Sequence, residues 1–84
     1  MAADVVSDAG FVQLAPDVWG TSPTRVHEVL VQAEAGRWVA WAGRYHKNHG
    51  HGRTPMREWV LYTGPHVQLA VEAATRFAGR LARR

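Results

Sequence analysis

The longest regular pattern of apolar positions lies toward the end of the chain. "TGPHVQLAVEAATRFAGRLARR" places Val67, Ala70, Val71, Ala74, Phe77, Ala78 and Leu81 at three- and four-residue steps, the period that aligns side chains along one stripe of an α-helix. Thr63 and Pro65 stand where a helix start is expected. At about 100° per residue, the apolar stripe faces one way while Arg76, Arg80 and Arg83 gather opposite, with Glu72 placed to pair with Arg76 one turn on.

Further upstream the period shortens toward two. "RWVAWAGRYH" (residues 37–46) and "MREWVLYT" (Met56 to Thr63) are rich in tryptophan, valine and tyrosine and read as strands. "RVHEVLVQAEAGR" carries two patterns. With Ser22 as cap, Pro23 at the first helical position, Val26, Val29, Leu30 and Ala33 at helical spacing and Gly36 as stop, residues 23–35 would form a helix. Val26, Val29 and Val31 favour extended chain instead, and "AEAGR" separates two runs of similar length, so a hairpin is the preferred reading. "FVQLA" is a short apolar run stopped by Pro16, and "PDVWGTSPT" reads as a loop that lays Val18 and Trp19 against an apolar surface. Residues 1–10, small, polar and acidic, read as a disordered leader before a single domain over 11–84. The expected architecture is α+β: a small antiparallel sheet of three or four strands with one long C-terminal amphipathic helix on one face. The alternative order is α-β-β-α.

Such a sheet has a second face, and these strands are apolar on both. Trp38, Ala40 and Ala42 alternate with Val39, Trp41 and Tyr45, while Trp59 and Leu61 alternate with Val60 and Tyr62. Three covers are open for that face: the N-terminal "FVQLAPDVW", a second copy of the chain, or a ligand stacked on the aromatics. The first is expected.

Composition narrows the classes. Eighty-four residues make one small domain whose large side chains are mostly committed to packing. The absence of cysteine removes disulfides, thiolate nucleophiles and thiolate metal sites. The apolar runs are too short to span a bilayer, and "MAADVVSDAG" carries acids where a secretory signal needs a positive start, so no membrane contact and a cytoplasmic location are expected. Charge is unevenly spread. Residues 1–34 hold five acids against Arg25, a balance of −4, and residues 35–84 hold nine bases against Glu58 and Glu72, a balance of +7, which together give the net +3. A cationic second half points to an anionic partner.

The densest candidate chemistry is "YHKNHGHGRTP", residues 45–55. His46, His49 and His51 are the metal-ligand candidates, but the spacing fits no strict ligand pattern, no thiolate or nearby carboxylate completes a site, and Arg44, Lys47 and Arg53 surround it with positive charge. No metal and no cofactor are expected. A catalytic role is not expected either, because no nucleophile, base and orienting group come together. Phosphate contact suits the residues better. Arg44, Lys47, Arg53 and Arg57 supply charge, Asn48 and the histidines His46, His49 and His51 supply further donors, and glycine-flanked amides can approach an anion. With Arg76, Arg80 and Arg83 as a second basic stripe, about five to seven phosphate contacts would be available. The expected function is thus a small basic nucleic-acid-binding or nucleic-acid-associated accessory protein. The competing expectation is a protein-interaction module or homodimeric subunit without nucleic-acid contact. "WAGRYHKNHGHG", followed by a strand and a helix containing Phe77, faintly resembles the Trp-Gly-Arg domain of some DNA-repair proteins; the tripeptide is split here by Ala42, and about half the chain could align.

Overall fold

The computed structural model describes residues 2–44 and 56–83. Helix α1 (Ala2–Asp8) is followed by strands β1 (Val12–Ala15), β2 (Val18–Thr21), β3 (His27–Glu34), β4 (Arg37–Arg44) and β5 (Met56–Gly64), and then by helix α2 (Val67–Ala82). The strands form one antiparallel sheet in the order β1-β2-β3-β4-β5, so every strand lies beside its neighbour in sequence. The architecture is α+β with the C-terminal helix on the sheet, and the strands number five rather than three or four.

The two additional strands come from residues 12–21, part of which had read as loop. Pro16 and Asp17 form a two-residue connection, with Ala15 paired to Val18 and Gln13 to Trp19. Pro presets its backbone for a turn and Asp favours one, so the punctuation marks a tight hairpin rather than a long loop. The N-terminal segment therefore extends the sheet sideways instead of covering its second face. The leader, expected to be disordered, contains α1, whose Val6 is fully buried.

Residues 27–44 form the hairpin favoured over a helix, with Val29 opposite Ala42 and Glu34 opposite Arg37. The turn residues Ala35 and Gly36 both have positive φ, 52° and 78°, the handedness that matches the twist of the flanking strands. Glycine accepts this conformation freely, but alanine does so against the clash of its Cβ with the backbone.

The main core lies between the sheet and the helices. Val29 and Val31 of β3, Ala40 and Ala42 of β4, and Trp19 of β2 meet Ala70, Val71, Ala74 and Leu81 of α2, together with Val6 and Phe11. Ala40, Ala42, Ala70 and Ala74 are all 0% exposed, so the middle of the contact between α2 and the sheet is built from the smallest side chains that still favour a helix. The apolar stripe seen in the sequence is the buried one, with Val67, Phe77 and Ala78 packed around it. The start of α2 differs from the expected signals at Thr63 and Pro65. Its N-cap is His66, which makes no side-chain cap hydrogen bond; its backbone N–H donates to the Tyr62 hydroxyl at 3.2 Å.

A smaller cluster, Leu30, Val39 and Trp41 with Val18 beside it, occupies the opposite face of the sheet. Trp41 is closed in by side chains of its own sheet. Its Nε1 donates to Gln32 Oε1 at 2.7 Å, and the Arg57 guanidinium lies 4.8 Å from the centre of its ring, a cation–π contact that helps cover the indole. The β4–β5 pairing is interrupted twice, between Ala40 and Trp41 and between Ala42 and Gly43, and at the second break the Met56 carbonyl closes on Gly43 so tightly that no Cβ could stand there.

Two substitutions check these backbone constraints. Gly43→Ala is expected to cost about 1–3 kcal/mol by forcing the strands apart, seen as a fall in melting temperature of about 4–8 °C per kcal/mol. Ala35→Asn, which suits the left-handed position, is expected to stabilise the fold by about 1 kcal/mol or less.

Candidate nucleic-acid interface

The end of the sheet where β4 finishes and β5 begins gathers side chains that are far apart in sequence. Ala42 pairs with Trp59 across β4 and β5, which puts the indole on the face covered by α2. The helix runs so that Phe77 reaches this indole, with ring centroids 5.7 Å apart at a tilt of 45°. His27, the first residue of β3, also meets it, with centroids 6.2 Å apart at a tilt of 37°. Trp59 nevertheless stays 38% exposed. Cations border this aromatic cluster: the Arg44 guanidinium lies 6.0 Å from the Trp59 ring centre, and that of Arg80 lies 5.7 Å from the centre of Phe77.

Between these groups is a cavity of about 440 Å³ lined by His27, Trp59, Phe77, Arg80, Leu81 and Arg83, a volume in the range of small-ligand pockets. The imidazole at its wall is held in one orientation. Thr24 Oγ1 accepts hydrogen bonds from the backbone N–H groups of Val26 and His27, at 3.2 and 3.0 Å, and lies 2.8 Å from His27 Nδ1. With both lone pairs of the hydroxyl engaged, its proton is the one left for Nδ1, which makes Nδ1 the acceptor and leaves the ring proton on Nε2.

The arginines named from sequence fall into three groups. Arg44 is held by Glu58 in a two-pronged contact, Nε to Oε2 at 3.0 Å and Nη2 to Oε1 at 2.9 Å, and the carboxylate pushes the Arg44 pKa up through the hydrogen bond and its charge. Its side chain is still 57% exposed. Arg57 is on the opposite face, over Trp41 and 3.5 Å from Glu34 Oε2, so it does not join the cluster. Arg76 and Arg80 of α2 and Arg83, its C-cap, are all exposed, and Arg80 and Arg83 line the cavity while Arg76 does not. Among the described residues none of these three is ion-paired, and Glu72 does not pair with Arg76. His46, Lys47, Asn48, His49, His51 and Arg53 lie outside the described residues, so the metal candidates His46, His49 and His51 do too; among the described residues no group of three or more His, Asp or Glu is placed to hold a metal. No described helix is long and apolar enough to cross a membrane.

His27, Trp59 and Phe77 were not singled out as site residues from the sequence. One signal was present: Phe77 and Arg80 are three positions apart, hence about 60° apart around a helix, so the basic stripe borders the apolar one on that side. Comparison with protein-family models, with curated proteins and with solved structures gives no match.

Among the described residues Glu28 forms no ion pair with an arginine. It is buried beside Gly20 and Leu14, accepts a hydrogen bond from Ser22 Oγ at 3.4 Å, and has its pKa raised, chiefly by burial and against the Ser22 hydrogen bond. A carboxyl whose folded-state pKa is raised gives stability that is full below the ordinary carboxylate range and is lost as pH rises through the folded-state value. Glu28→Gln is therefore expected to match the wild type in acid and exceed it at neutral pH, as read from urea midpoints at the two conditions.

Proposed function

We propose that the protein is a small nucleic-acid-binding accessory protein that contacts phosphates and carries out no chemistry of its own. The observation that carries this reading is the gathering of Arg80 and Arg83, Arg44 and His27, from three separate stretches of the chain, around the exposed ring of Trp59 and its neighbour Phe77. Guanidinium groups near a ring face suit a strand of phosphates with bases attached, because the charge attracts the backbone and the ring offers a stacking surface. Arg44 already shares its charge with Glu58, and Arg57 with Glu34. Fewer phosphate contacts follow than the basic residues alone would supply, with Arg76, Arg80 and Arg83 the principal ones. Lys47, Asn48, Arg53 and the histidines His46, His49 and His51 belong to the stretch linking β4 to β5, both of which end at this cluster, and they are proposed as further phosphate donors.

The second reading is a protein-interaction module or homodimer. It draws on β5, an edge strand with Met56 and Val60 exposed along it.

Fluorescence anisotropy with a labelled single-stranded oligonucleotide separates the two. Arg76, Arg80 and Arg83 alone, as three phosphate contacts on a single strand, predict a slope of about −2 for log K against log salt, and each further cationic contact from residues 45–55 steepens it by about 0.7. Arg80→Ala and Arg83→Ala are each expected to lower its magnitude by about 0.7, while Arg57→Ala leaves it unchanged. A protein that binds no oligonucleotide at low salt but sediments as a salt-insensitive dimer overturns the proposal in favour of the second reading.

A further inference from the structure

We infer that the cavity between β3, β5 and α2 takes one unpaired nucleobase, stacked on Trp59, so that the preferred ligand is single-stranded and not duplex nucleic acid. This rests on the reading above and deepens it, because phosphate contact alone would serve a duplex equally.

Three features of the cavity favour a base over a bare phosphate. Trp59 and Phe77 place two aromatic rings at its wall, tilted by 45° to each other with Trp59 38% exposed, where a phosphate needs donors and gains nothing from an aromatic ring. Its volume of about 440 Å³ exceeds what an inorganic anion would fill and falls within the range for small organic ligands. The polar groups are also spaced for a base with its phosphate: Arg80 and Arg83 stand on the helix side, and His27, fixed through Thr24, keeps its Nε2–H as the donor left for a ligand. That donor matches a keto oxygen such as those of thymine, uracil or guanine. In a duplex, bases are stacked on one another with only their edges exposed in the grooves, so a base reaches such a cavity only after leaving the stack, at a cost of a few kcal/mol that a single strand avoids.

The measurement uses the intact protein and three labelled probes of equal length: an oligothymidylate, the same strand with all bases replaced by abasic sites, and a duplex containing the thymidine strand. The thymidine strand is expected to bind about 5- to 150-fold more tightly than the abasic strand, the span that stacking of one base provides, and more tightly than the duplex. Trp59→Ala is expected to lose that difference while binding the abasic strand as the wild type does, which also establishes that the variant is folded; Trp59→Phe is expected to keep most of the difference. Equal binding of thymidine and abasic strands by the wild type, with the salt slope intact, overturns base insertion and leaves the phosphate reading standing. Duplex binding as tight as single-strand binding overturns it likewise. Failure to bind any of the three probes at low salt removes the reading beneath it as well.

Discussion

The architecture depends on the close approach of α2 to β4. Four alanines, Ala40 and Ala42 on the strand and Ala70 and Ala74 on the helix, are completely buried at this contact. Small side chains on both partners bring the helix near the sheet, and the larger residues Val71, Leu81, Val29 and Val31 fill the space on either side. Wider spacing would carry the end of α2 away from β5. The position of Phe77 against Trp59, and with it the placing of Arg80 and Arg83 beside His27, is thus a consequence of alanine packing in the middle of the domain.

The same sheet disposes of its positive charge in two ways. On the face away from α2, Arg57 serves as cover, with its guanidinium over Trp41 and its charge shared with Glu34. On the α2 side, the arginines of the helix meet no carboxylate among the described residues, and their neighbours are aromatic. Net charge cannot distinguish these cases. A formal excess of +7 over residues 35–84 includes cations already matched locally and cations whose field extends into solvent, and only the latter attract a polyanion over distance.

Legibility in the sequence followed the range of the interactions. The period of Val67 to Leu81 is local, and it located both α2 and its buried stripe. The β3–β4 hairpin was readable because valine content and the break at Ala35–Gly36 agreed, against a helical spacing that only partly fitted. The strands β1 and β2 were harder, since each has only four residues and Pro16 in "FVQLAPDVW" marks a tight turn as readily as a long loop. The cavity was least accessible. It requires residues 27, 59 and 77 to meet, which depends on the strand order and on the direction of α2, and neither is written in any local pattern. The stretch 45–55 was conspicuous by composition, while the aromatic cluster of His27, Trp59 and Phe77 was hidden among residues that read as ordinary core.

Every strand pairing in this sheet joins neighbours in sequence, which has a kinetic consequence. A meander closes by successive hairpins between sequence neighbours, whose loop entropy grows only slowly with the length of the connection, and chains dominated by such near-sequence contacts fold quickly. The β3–β4 hairpin can form alone, but the pocket exists only after β5 has been added and α2 has docked. An occupant engages only the completed assembly, so it draws the folding equilibrium toward that last step by mass action.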